Sequence, residues 1–320
     1  MTVKRIGLIG ECMIELNGAP FGEMVQRYGG DALNSAVYLA RAAGDAVEVN
    51  FISAMGTDPL SKGMISRWQA EGVNTAHVLI DPHHQPGLYL IQLDEQGERT
   101  FLYWRNDSAA RYLVRHPEYP ALLAQMAQMD AIYLSGISLA ILPPQDRLQL
   151  LDDLKALSQQ GKTILFDSNY RPALWADENE TRDCYQAMYA LTDMALVTDD
   201  DEARLWGDSD RNATFARLAK AGVKQAIIKA GAQGCDYRDL RTDAPAINIA
   251  TTPAEQVVDT TSAGDAFNAG FLAGWLTGAD IERAARMGHR LAGVVIQHKG
   301  AIIPQAATRP VTDTLLNNTF

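Results

Sequence analysis

Apolar positions along the chain follow two periods. Short runs rich in branched side chains read as strands buried on both faces: Val3 to Gly10 (VKRIGLIG), Val49 to Met55, Ala131 to Ser135, Thr163 to Asp167, Ala195 to Thr198 and Gln225 to Lys229. Helical patterns fill the gaps. One opens near Asp31 and runs to about Ala43, another ends near Glu71, and others cover 118–128 and Pro144 to Gln160. Two more, Ala263 to Gly278 and Asp280 to Gln297, close the pattern, and the tail from Gly300 reads as irregular. Strand and helix in strict alternation predict a doubly wound α/β fold with a mostly parallel sheet. Gly56 and Asp58, between a strand and a helix, read as structural turn residues.

Two segments break the alternation. Glu11 to Leu16 has the period of a half-exposed strand. Gly87 to Leu93 and Glu98 to Arg105, joined by a glycine turn at Asp94 to Gly97, read as a β-hairpin. Period two puts Phe101, Tyr103 and Arg105 on one face, with Tyr89 on the partner strand. A phenol beside a guanidinium suits a polyol carrying a carboxylate, which arginine binds bidentately. A cross-strand aromatic cluster with a solvated arginine fits the same pattern.

Charge narrows the partners. With 28 basic and 39 acidic residues the net charge is −11, which argues against nucleic acid and anionic membranes. Cys12, Cys184 and Cys235 are far apart and lack metal-ligand spacing, so reduced, buried thiols are expected. No apolar run reaches about 18 residues, and the chain enters a strand at once, so a cytoplasmic protein without membrane span or signal peptide is expected. No repeat or linker divides the 320 residues, which read as a single domain.

The densest chemistry lies at Val257 to Phe271 (VVDTTSAGDAFNAGF). A β-branched run meets a small-residue turn, and a helix begins whose first N–H groups have no intrahelical partner. Such a start attracts an anion. Asp265 would repel that anion unless it works as a general base beside a phosphate in transfer; an aspartate cap on an ordinary turn is the plainer alternative. Tyr28 to Asn34 (YGGDALN) has two glycines before a helix, with Asp31 and Asn34 three apart on one face. After the strand ending at Asp167 comes Ser168-Asn169-Tyr170-Arg171-Pro172, and the proline holds Arg171 extended where ligands sit in such sheets. Asp199 and Glu202 open a helix as hard oxygen donors suited to Mg²⁺, or as acids favouring its dipole. Lys229-Ala-Gly231-Ala-Gln-Gly234 is a glycine-rich loop after a strand.

Asp259-Thr-Thr-Ser262-Ala263-Gly264-Asp265 resembles the signature of the ribokinase-like (PfkB) carbohydrate kinases, roughly D-T-x-G-A-G-D, with Ser262 where the family has glycine. GGDALN, D-x-N-x-R-P, the acidic pair with aspartate for the usual asparagine, and K-x-G-x-x-G fall where that family has related motifs, so the resemblance spans the first strand to about Pro304. It implies a three-layer α/β/α domain with a small β-sheet lid, from about 11–28 and 86–106. It implies ATP and Mg²⁺, leaves a monovalent cation open, and suggests at least a dimer. Asp265 would be the base. The N–H groups of Ala263, Gly264 and Asp265 would hold the phosphoryl, with Arg171 offsetting charge. Gly30, Asp31, Asn34, Tyr89, Tyr103 and Arg105 would hold the acceptor. Asn169, Arg171, Lys229, Gly231, Gly234 and Ser262 would line the nucleotide side, with Glu202 and Asp199 near the metal. Within the family the closest likeness, in segments such as Gly10 to Leu16 and Tyr103-Trp-Arg105, implies transfer of the ATP γ-phosphate to the 6-hydroxyl of a six-carbon keto-deoxy acid. A neutral-sugar kinase (fructose, ribose or a nucleoside) and a non-catalytic sugar-acid sensor remain as alternatives.

Overall fold

The computed structural model describes residues 3–93 and 99–316. Among these, nine strands form one sheet in the spatial order Ile247–Ile249, Cys235–Asp239, Gln225–Lys229, Met194–Thr198, Thr163–Asp167, Ala131–Ser135, Lys4–Ile9, Val47–Met55, Val78–Ile80. Pairing is parallel from Val78–Ile80 through Gln225–Lys229. Cys235–Asp239 and Ile247–Ile249 are added antiparallel. The central strands read Ile-Leu-Phe, Ala-Leu-Val and Ala-Ile-Ile because both faces are covered. One apolar core lies between the sheet and Asp31–Ala43, Ala263–Leu276 and Ile281–Val295; a second fills the other face under Tyr119–Met126, Pro144–Gln159 and Glu178–Tyr189. The result is the expected three layers.

A second, four-stranded sheet runs Met24–Gly29, Met13–Gly18, Leu88–Leu93, Arg99–Trp104. Its middle pairing is parallel, and the outer two are antiparallel. The hairpin register sets Tyr89 opposite Tyr103. The glycine turn expected at Asp94 to Gly97 lies outside the described residues.

Two sequence expectations are corrected. Val257 and Val258 are not in a strand: Val257 is 61% exposed, and the N–H groups of Val258 and Asp259 both donate to the Ile296 carbonyl. The motif is thus a loop-to-helix junction, held by helix Ile281–Val295. The tail is not irregular, for Gln305–Leu316 is a helix that packs on Asp31–Ala43 despite an internal Pro310. The small residues after Asp265 serve packing. A Cβ on Gly270 would lie 2.7 Å from the Met287 carbonyl oxygen, and one on Gly274 would lie 3.0 Å from the Ala284 Cα. Glycine lets the two helices touch backbone to backbone, which fixes where Asp265 sits.

Candidate active site

Helix Ala263–Leu276 starts from Ser262, whose φ of 65° is left-handed although it is not glycine. The preceding loop is tied by Asp259, which accepts from the N–H groups of Thr261 and Gly300 at 2.9 Å each. The Ala263 N–H closes the turn onto the Thr260 carbonyl at 3.2 Å, so it is not free as expected. Gly264 and Asp265 follow in the first turn, where N–H groups have no intrahelical acceptor. A Cβ on Gly264 would meet only the Lys229 ammonium, at 3.6 Å, so the space above this helix start is open. Open space, free donors and a cation beneath suit a phosphoryl group.

Asp265 is 8% exposed. Its Oδ2 accepts from Asn34 Nδ2 and from Ser262 Oγ, both at 2.9 Å. Burial, and then the nearby Asp31 charge, push this carboxyl up to about 7, against the two donors. A carboxylate poised near neutrality is what a general base requires. Asp31 is the first helical residue after a Gly30 cap and accepts from Asn169 Nδ2 at 2.7 Å. Asn169 thus faces the acceptor motif, at a φ of 33°. Gly30 is glycine for a reason inside the protein: a Cβ there would strike the Glu11 carbonyl oxygen at 2.0 Å.

Lys229 lies below the helix start, not in the loop that follows it. Its Nζ donates to Asp167 Oδ2 at 2.9 Å and to Asn268 Oδ1 at 3.1 Å, and Asn268 in turn donates to Asp167 and Tyr133. Gly231, at φ 52°, opens onto empty space, whereas Gly234 is packed against the Ile249 carbonyl. Arg171 is extended, at φ −127° and ψ 95°, as its proline dictates; its half-exposed guanidinium stands 3.6 Å from Asp201. Burial raises the Asp201 carboxyl although Arg171 opposes it.

The acidic pair has other partners than a metal. Glu202 is 1% exposed; it accepts from Tyr189 OH on both oxygens, at 3.1 and 3.2 Å, and from Arg217 at 2.5 Å. Asp199 pairs with Arg211 at 3.3 Å. Among the described residues no group of three acidic, histidine or cysteine side chains converges to hold a metal. The geometry of Glu202 and Asp199 therefore does not fit two direct Mg²⁺ ligands.

In the second sheet Tyr89 is buried with its hydroxyl on Glu15 Oε2, while Tyr103 is 51% exposed, 6.0 Å from Tyr89 between ring centres. Arg105 is not solvated. It lies just past the strand, buried against Glu11 and with its guanidinium carbon 5.9 Å from the Tyr103 ring centre. Among the described residues, Arg105 Nε and Glu11 Oε1 have no hydrogen-bond partner. Sequence reasoning missed Glu11, Glu15, Asp167 and Asn268. Their signals were acids inside the apolar run Gly10 to Leu16, an aspartate closing a buried strand, and an asparagine three residues after Asp265 on the same helix face.

Residues 3–308 match the pfkB family carbohydrate kinases. The chain belongs to that family. It is 54% identical to a 2-dehydro-3-deoxygluconokinase of Haemophilus influenzae over 95% of this chain and 97% of that one. It is 47% identical to a 2-dehydro-3-deoxygluconokinase of Dickeya dadantii over 96% and 99%. A fructokinase with bound ATP from Xylella fastidiosa superposes with a TM-score of 0.82 at 20% identity, covering 99% of each chain. At that identity the superposition speaks for the pfkB fold alone. No helix among the described residues of this pfkB kinase is long and apolar enough to cross a membrane.

Proposed function

We propose that this chain is an ATP-dependent sugar-acid kinase that phosphorylates the 6-hydroxyl of 2-keto-3-deoxy-D-gluconate. Two relatives named for that activity, at 54% and 47% identity over nearly whole chains, support the substrate. One observation carries the chemistry: a buried carboxylate raised to about 7 stands at an open helix N-terminus.

In this reading Asp265 takes the proton from the attacking hydroxyl as the phosphoryl arrives. The N–H groups of Gly264 and Asp265 hold the phosphoryl oxygens in place, while Lys229, held by Asp167, adds positive potential from below. Arg171 swings from Asp201 and the Tyr170 carbonyl, which it holds at 2.9 Å, to the phosphates, and Asn34 keeps the Asp265 carboxylate oriented. Mg²⁺ bound with ATP would neutralise charge on the phosphates, with Glu202 and Asp199, already paired with Arg217 and Arg211, not among its direct ligands. The four-stranded sheet acts as a lid that keeps water out. Tyr89, Tyr103 and Arg105 bind the acid beneath it, Arg105 through its unpartnered Nε edge. The Glu11 pairing is the one observation that favours a neutral sugar, since it gives Arg105 another task.

Asp265→Asn tests the chemistry. KM should stay near the parent value and kcat should fall by roughly 10²–10⁴. A kcat within about three-fold of the parent removes Asp265 from the base role.

A further inference from the structure

We propose that the Ser262 hydroxyl is a positioning residue for the reaction, holding the Asp265 carboxylate ionised and turned toward the acceptor. The inference rests on Asp265 being the base.

The position is one where glycine is the default, because φ is 65°. A serine there carries backbone strain, and its side chain does not recover that strain as a cap. A serine at the start of a helix ordinarily turns its oxygen to the N–H two or three residues on. Ser262 makes no such bond. Its hydroxyl instead goes to Asp265 Oδ2 at 2.9 Å. Two consequences follow. The helix-start N–H groups are left for an anion rather than consumed by the cap. And Oδ2 receives both Ser262 and Asn34, so Oδ1 is the oxygen left for the incoming hydroxyl's proton.

The charged surroundings explain why a second donor matters. Asp31 from the first long helix and Asp167 from the sheet both push the Asp265 carboxyl toward its neutral form, as does burial. The Tyr38 and Tyr133 hydroxyl groups in the same neighbourhood are themselves held neutral by burial, so they add no charge. Lys229 faces the helix start but is engaged by Asp167 and Asn268. Ser262 and Asn34 are the donors that favour the ionised form.

The test is kcat against pH, from 5 to 9, for the parent, Ser262→Gly, Ser262→Ala and Asp265→Asn, with a thermal melt of each. Both Ser262 variants should move the acidic limb of kcat upward by about one pH unit, as loss of a hydrogen bond to a charged group requires. Their melts should diverge, with Gly above Ala, because only alanine keeps the strained φ. The limb shift and the stability order are then uncoupled, which a purely structural role of Ser262 would not produce. A limb for Ser262→Gly that coincides with the parent's, beside an inactive Asp265→Asn, overturns this inference and leaves the base intact. An active Asp265→Asn overturns both.

Discussion

Asn34 Nδ2 donates to Asp265 Oδ2 at 2.9 Å across 231 positions of sequence, joining the glycine-led helix near the N-terminus to the helix that opens at Ala263. The contact is buried, and it binds a carboxyl whose pKa is lifted to about 7. That lift has a stability consequence with a definite sign. The unfolded carboxyl titrates near 3.8, so between about pH 4 and 7 the folded state holds a proton the unfolded state has lost. Stability from this group is complete below pH 4 and declines as pH rises through 7. Asp265→Asn, neutral throughout, should match the parent's melting temperature near pH 4 and exceed it at pH 8, by an amount on the order of a few kcal/mol. Equal melts at pH 8 would mean the carboxyl is not raised.

The Lys229–Asp167 pair should be worth more to the fold than an exposed pair, because both groups are buried. Lys229→Met leaves the Asp167 charge stranded and should cost roughly 3–5 kcal/mol. Adding Asp167→Asn to the same chain should restore a good part of the loss. A single variant that melts with the parent would place Lys229 in solvent.

Gly264 and Gly270 make a contrast that one methyl group can read. At Gly270 a Cβ meets backbone at 2.7 Å, so Gly270→Ala should lower stability by about 1–3 kcal/mol through overpacking. At Gly264 only the Lys229 ammonium is near, so Gly264→Ala should melt with the parent. Its methyl group would stand where the phosphoryl is proposed to lie, so its kcat should drop. Full activity in Gly264→Ala would move the phosphoryl elsewhere.

Much of this site was legible in the sequence because its chemistry is local. Asp265 follows a small-residue turn, and Arg171 precedes a proline that fixes its backbone. Alternating apolar runs gave the parallel sheet for the same reason. What escaped was set by distant partners. Arg105 has the spacing of an exposed strand residue, yet Glu11, brought from 94 positions away, takes it inside. Lys229 ends a strand beside a glycine loop, yet its ammonium turns to Asp167 from the next but one strand in the sheet. Val257 has strand chemistry but lies in a loop, where the Ile296 carbonyl at the C-cap of helix Ile281–Val295 takes the N–H groups of Val258 and Asp259. Gln305–Leu316 contains a proline, which argues against a helix until its packing on Asp31–Ala43 outweighs the lost hydrogen bond.

The Arg105 assignment separates the sugar acid from a neutral sugar. Arg105→Gln should raise KM for the keto-deoxy acid at least about ten-fold, while any slow turnover of fructose is unchanged. Glu11, left buried without its cation, should make this variant less stable by several kcal/mol, so the kinetics belong at low temperature. A KM equal to the parent's would assign Arg105 to Glu11 alone.

The most direct measurement is ADP release from ATP and Mg²⁺ with 2-keto-3-deoxygluconate, gluconate, fructose, ribose and adenosine as acceptors. A kcat/KM for the keto-deoxy acid at least about 100-fold above every neutral sugar is expected, a gap near 2.7 kcal/mol in transition-state binding. Equal or faster turnover of fructose or ribose would contradict the substrate and keep the kinase. No turnover of any acceptor would contradict the account as a whole.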